Sequence, residues 1–310
     1  MTLKKYADVW IMLCIGVMTI LLTGLCSCQP KTEINKTVKI ALWGDSRENL
    51  DNACENIAYI LINDITDWDL LVHTGDFTSK GREEDWQRSL NYKGIDKLFI
   101  PGKFFMCTSN HDDNQETYDK YTDGILPVNP ANNTTHFYAH QMGNVHVIFC
   151  DAYFTDAAVM QNWLNDYLEK NVNKDDWLIG VWHPPSYGDL SYKSSYLEKC
   201  QPWLESLHEY GGDFIFNGHA HVYVRSKPLL PDGTVDYEKG MVHIINGTGG
   251  ASWKSAQEYS EKTAFTPDSE SFASITFITL DKNTATIQTV DARPGNNLAV
   301  IDEWTWEKKK

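Results

Sequence analysis

The sequence predicts an α/β fold with an added antiparallel part, and three observations point to it. Between Val38 and His221, apolar runs of strand length alternate with stretches of helical spacing. After His221, strand-type runs follow one another without helices. Finally, five strand-type runs stop on Asp, Asn or His, side chains that ligate metals.

In chain order, Lys4 and Lys5 precede an apolar run from Val9 to Leu25. The ending Leu25-Cys26-Ser27-Cys28 resembles a bacterial lipobox. Residues 1–27 read as a lipoprotein signal peptide, Cys28 as the lipidated residue and 28–36 as a polar tether. The alternative is an uncleaved membrane helix. That needs about 20 apolar residues, and this run is short, with Asp8 at its edge. Either reading puts the globular part outside the cytoplasm. The lipid reading puts it in the bacterial cell envelope, with the membrane as a partner through the anchor.

From residue 37 to 295 no long linker interrupts the chain, which reads as one domain. Val38 to Trp43 is a strand ending at Gly44-Asp45. Leu50 to Asn63 has helical spacing in Ala53, Ile57, Ile60 and Leu61. Leu70 to His73 is a strand ending at Gly75-Asp76, and Glu83 to Ile95 reads as helix. Phe104 to Thr108 is a strand ending at Asn110-His111. His136 to His140 and Val145 to Cys150 form a hairpin about Gly143-Asn144, followed by a helix from Val159 to Lys170. Trp177 to Trp182 is a strand ending at His183, and Tyr196 to Tyr210 is a helix. Asp213 to Phe216 is a strand that stops at Gly218-His219-Ala220-His221. Val222 to Val224, Met241 to Ile245, Phe272 to Leu280 and Thr284 to Val290 supply the later strands. Residues 296–310, aromatic and then basic, are set apart as a tail.

The formal charge of -15 argues against a nucleic-acid partner, whose binding needs basic patches. Bound metal ions would supply the positive centre an anionic substrate requires. Cys54, Cys107, Cys150 and Cys200 have no zinc-knuckle spacing, and buried free thiols are expected. His73, His136, His140, His146, His208 and His243 fall inside helix or strand patterns and read as structural.

In open α/β sheets ligands gather beyond the carboxyl ends of the strands. Here those ends carry Asp45, Asp76, Asn110, His111, His183, His219 and His221. This order, with Asn110-His111-Asp112 and Gly218-His219-Ala220-His221, resembles the calcineurin-like metallophosphoesterase superfamily over residues 38–250. Gly218 to Arg225, His183 to Tyr187 and Asn246 to Gly250 resemble its purple acid phosphatase branch.

The resemblance implies a two-sheet β-sandwich flanked by helices, a four-layer αββα arrangement. It implies one metal on Asp45, Asp76 and His221, and a second on Asp76, Asn110, His183 and His219, with Asp76 bridging. Iron, zinc or manganese would serve. His111 would act beside the leaving group, as general acid or as a donor to the phosphoryl oxygens.

Three positions depart from the pattern. Asp45-Ser46-Arg47 stands where many members have Asp-X-His, which leaves the first metal with three protein ligands plus water, or weakly bound. Arg47 reads either as a clamp for substrate phosphate or as an ion-pair partner of nearby acids. Ser79 replaces the tyrosine ligand of purple acid phosphatases, so no tyrosinate–iron colour is expected. Ser109 replaces a glycine. The implied function is hydrolysis of a small phosphate mono- or diester by a metal-bound hydroxide. The rival is a catalytically silent protein that binds a phosphorylated ligand on the same scaffold.

Overall fold

Val38–Trp43 (β1), Leu70–His73 (β2) and Phe104–Met106 (β3) are short apolar runs, buried throughout except at Lys39. Runs that are apolar on both faces belong inside a covered parallel sheet. Here β1 pairs with β2 and β2 with β3, all parallel. The structure is a computed structural model that describes residues 37–187, 194–254, 261–267, 273–296 and 298–308. The expected signal peptide, Cys28 and the tether lie outside the described residues.

The other edge of β1 carries Ser274–Leu280 (β11), then Thr284–Asp291 (β12) and Val300–Glu307 (β13), each antiparallel to its neighbour. This first sheet therefore runs β13-β12-β11-β1-β2-β3. The sequence reading needs a correction here. The stretch expected as a tail contains β13, so the sheet continues past residue 295. Its alternating small, charged and Trp residues suit an edge strand with one packed face.

A second sheet has seven strands. They are Tyr138–Met142 (β4), Val145–Phe149 (β5), Trp177–Val181 (β6), Phe214–Asn217 (β7), Tyr223–Ser226 (β8), Val242–Asn246 (β9) and Thr263–Phe265 (β10). They lie in the order β10-β8-β9-β7-β6-β5-β4, parallel from β5 through β9 and antiparallel at both edges.

The helices are Ala53–Tyr59 (α1), Glu83–Leu90 (α2), Gln115–Thr122 (α3), Ala157–Asn171 (α4) and Ser194–Glu209 (α5). Period-two alternation sorts the layers. On β6, Trp177, Ile179 and Val181 join the core shared with the first sheet. Leu178 and Trp182 instead join Met160, Leu164 and Leu168 of α4 and Trp203, Leu204 and Leu207 of α5. Ala53, Cys54 and Ile57 of α1 and Trp86 of α2 pack on the first sheet. Two mixed sheets thus stack face to face with helices flanking them.

Helix α1 is shorter than its apolar spacing suggests. Asp51 and Asn52 take left-handed backbone (φ +49° and +58°), and regular helix starts only at Ala53. Helix α3 went unread in the sequence, although its signal is present: the Asn114 side chain caps it by accepting from Thr117 N–H at 3.1 Å. Cys54, Cys107, Cys150 and Cys200 are free and buried.

Candidate metal centre

The seven ligand-type residues lie in the loops that leave β1, β2, β3, β6 and β7. The backbone there is unusual. Asp45, Asp76, His219 and His221 all have positive φ (+56°, +56°, +68° and +53°). Non-glycine residues adopt such backbone rarely, and it clusters at functional sites. Gly75 (φ +92°) makes the approach possible on one side. A Cβ there would lie 2.7 Å from Ser109 Cβ and 2.8 Å from His183 Nδ1.

Four donor atoms form a continuous chain. Asp76 Oδ1 is 3.1 Å from His183 Nε2. His183 Nε2 is 3.2 Å from His219 Nδ1, which is 2.8 Å from Asn110 Oδ1. His183 Nδ1 lies 2.7 Å from the Thr74 carbonyl oxygen and donates to it. That fixes the tautomer and turns the Nε2 lone pair inward, as the outer partner of a ligating histidine does. Ligands about 2.0–2.2 Å from one ion stand roughly 3 Å apart, so this quartet fits a metal. Burial alone would lower His183; the Asp76 carboxylate overrides it and lifts the ring to about 9. Burial alone would raise Asp76; His183 overrides that and holds the carboxyl below the usual carboxylate range.

Asp45, Asp76 and His221 form a second cluster, with one donor atom from each lying within 4.8 Å of the others. His221 Nδ1 donates to Ser252 O at 2.7 Å, which leaves Nε2 facing Asp45 Oδ1 at 3.5 Å. Asp45 accepts His219 N–H at 3.0 and 2.9 Å. Burial raises the Asp45 carboxyl well above the usual range; attraction to His183 opposes this and repulsion from Asp76 adds to it. Burial pushes His219 down to about 3 and His221 to about 4. Neutral imidazoles are the ligating form.

Arg47 reaches into this second cluster. Its Nε is 3.5 Å from Asp76 Oδ2 and its Nη2 is 3.4 Å from His221 Nε2. Glu48 is 3.7 Å from Nη1. The ion-pair reading of Arg47 is the one these contacts show.

His111 stands at the rim, half-buried. Its Nδ1 is 2.7 Å from Ser79 O and 3.1 Å from Arg47 Nη1. The shorter contact, to a carbonyl, assigns the hydrogen to Nδ1. Nε2 is then left 4.0 Å from Asp76 Oδ2.

Sequence reasoning gave Asp112 no role, although it completes the Asn110-His111-Asp112 triplet. The structure shows it buried, accepting from Phe77 N–H (3.1 Å), Thr78 N–H (2.7 Å) and Ser109 Oγ (2.7 Å). It ties the loop after β2 to the loop after β3. Ser109, found where a glycine was expected, serves this tie.

A sequence profile described as Calcineurin-like phosphoesterase matches residues 38–223. The chain belongs to that family. Among curated proteins, Purple acid phosphatase 15 of Arabidopsis thaliana is 32% identical over 164 residues, 49% of this chain and 30% of that protein. The Acid phosphatase of Aspergillus ficuum is 33% identical over 119 residues, 34% of this chain and 19% of the other. This chain thus spans under a third of the length of either relative. Among solved structures, the purple acid phosphatase PPD1 of yellow lupin (Lupinus luteus) superposes with TM-score 0.71 at 17% identity. That superposition covers 88% of this chain and 54% of the lupin chain, and it speaks for the fold.

In this calcineurin-like phosphoesterase, three motif residues that could have lined the substrate side do other work. Tyr223 OH donates to Asp302 at 2.9 Å, and Arg225 holds the same carboxylate with two N–H groups at 2.7 and 2.9 Å. They fasten β13 to the second sheet. Tyr187 OH bonds Pro231 O. The Gly-rich loop Asn246 to Gly250 is also spoken for. Gly247 N–H donates to Val222 O and Gly249 N–H to Gly44 O, so these two amides brace the loops of His221 and Asp45 rather than face a phosphate.

Proposed function

We propose that the protein is a metal-dependent hydrolase of a small phosphate mono- or diester, held outside the cytoplasm by a lipid on Cys28. One observation carries the catalytic part. Asp76 Oδ1, His183 Nε2, His219 Nδ1 and Asn110 Oδ1 converge at 2.8–3.2 Å, with a bound tautomer aiming His183 inward. Such a donor set, with carboxylate, amide oxygen and imidazole, suits manganese, iron or zinc. When bound, the metal would supply Lewis acidity, lowering the pKa of a bound water and neutralising charge on the phosphoryl oxygens.

The remaining steps belong to side chains. Ser79 O holds the His111 ring by Nδ1, so that Nε2 stands free toward Asp76. From there a protonated Nε2 donates to the leaving oxygen or to a phosphoryl oxygen. The Arg47 guanidinium adds a permanent positive fork beside it. The anchor part of the proposal rests on Lys4, Lys5, the apolar run to Leu25 and the Leu25-to-Cys28 ending.

The rival is a silent binding protein for phosphorylated ligands, favoured by Arg47 standing against Asp76 and His221. A chromogenic monoester and diester separate the two. Turnover that a chelator abolishes and added metal restores supports the hydrolase. Binding of inorganic phosphate without turnover, in metal-loaded protein, supports the rival. For the anchor, mass spectrometry of Cys28 in membrane-extracted protein should show acyl chains, and Cys28→Ser should release the protein from the membrane.

A further inference from the structure

The second cluster has the donors for an ion, yet a cation already stands among them. Arg47 Nε and Nη2 lie 3.5 and 3.4 Å from Asp76 Oδ2 and His221 Nε2. A metal bound to those two atoms must come within about 2.0–2.2 Å of each. It would then press on the guanidinium, which stays charged at any working pH. Arg47 is also held in place. Its backbone N–H donates to Asp76 O at 3.2 Å, and its carbonyl accepts from Ser79 Oγ at 3.4 Å. Its side chain is 13% exposed. The Nε atom is buried and, among the described residues, has no hydrogen-bond partner. The guanidinium charge is already offset by Asp76 and Glu48, as a bound cation's would be.

We propose that Arg47 takes the place of one metal ion. The protein then holds a single ion, on Asp76, Asn110, His183 and His219, and the guanidinium is the second positive centre. The Arg47 guanidinium would then supply N–H groups and positive charge to the substrate phosphate where a second ion otherwise would. Asp45 and His221 stay in the cluster as partners of His219 N–H and Ser252 O. The proposal rests on the metal-dependent reading given above.

The test counts ions, separately from turnover. Purified protein is equilibrated with excess manganese or zinc, freed of unbound ions, and analysed for metal per chain. The wild type should carry one ion. Arg47→Ala, which empties the cluster, and Arg47→His, which adds an imidazole to it, should each carry two. Two ions in the wild type, or one in both folded variants, overturns the proposal. If neither variant folds by circular dichroism, the wild-type count decides alone. Two ions with turnover would sink this inference and leave the hydrolase standing. One ion without turnover would do the reverse, and no ion at all would sink both.

Discussion

The loops that carry Asp45, Asp76, His183 and His219 and the edge formed by β12 and β13 both bury charge, with opposite outcomes. At the edge each charge has its counterpart. Asp302 takes three hydrogen bonds from Tyr223 and Arg225, and Lys308 meets Asp213 at 2.6 Å. Arg225 also stacks on Trp304, and Lys308 on Trp177. At the strand-end loops Asp76 has His183 and Arg47 beside it, but like also faces like. Asp45 is buried beside Asp76, His219 Nδ1 beside His183 Nε2, and four ligand-type residues sit in left-handed backbone. The difference teaches where the fold spends stability and where it gains it. The edge is complete as built, whereas the loops gather donor atoms that would suit a cation.

Perturbing each region should therefore read out differently. The largest effect is expected for Asp76→Asn. It touches both clusters, so metal content and phosphoesterase activity should fall together, activity by roughly 10³-fold or more. Loss of activity with full metal content would break the link between the loops and the ion. Next is His111→Ala, for which turnover should drop by about 10²–10⁴-fold while metal content stays unchanged, measured on one sample.

Third is a matched pair of carboxylate changes. Asp302→Ala strands Arg225 and should cost about 3 kcal/mol of unfolding free energy in urea, with metal content intact. Asp45→Asn keeps an acceptor for His219 N–H while removing a buried, repelled charge. The metal-free protein should then be as stable as the wild type or more so. If the two variants cost the same, the contrast between the regions fails.

The smallest effect is acid sensitivity, set by two buried histidines. Burial lowers His73 and His243 from 6.5 to about 3. Below 6.5 the unfolded chain binds protons that the folded one refuses. Stability from these rings is full above 6.5 and is lost as pH falls toward 3. At pH 5 each should cost about 2 kcal/mol. Urea unfolding at pH 7 and pH 5 reads these rings together with the other buried, lowered histidines, and His243→Phe should reduce the difference by about 2 kcal/mol.

The sequence shows the loops more clearly than the edge. A ligand needs a particular side chain at a particular strand end, so Asp45, Asp76, Asn110, His183, His219 and His221 stand out as an ordered set. The backbone that aims them does not, because a positive φ at Asp or His leaves no mark in composition. Edge strands are specified by pairing with distant partners. Val300–Glu307 reads as a strand only once Asp302 meets Arg225, 77 residues away. For the same reason the partner of Tyr223 and Arg225 could not be read locally. Arg47 was visible as a departure, but its place among Asp76 and His221 depends on the loop after β1 folding back over β2.

The most direct measurement is the unfolding temperature of the purified protein with a chelator and then with manganese or zinc. An ion that binds only the folded loops stabilises them by about 2.7 kcal/mol at a hundred times its Kd. The temperature should rise for the wild type and by as much for Asp302→Ala, and stay flat for Asp76→Asn. Equal temperatures with and without metal, or a full rise in Asp76→Asn, would contradict the view that these loops are built to receive a cation.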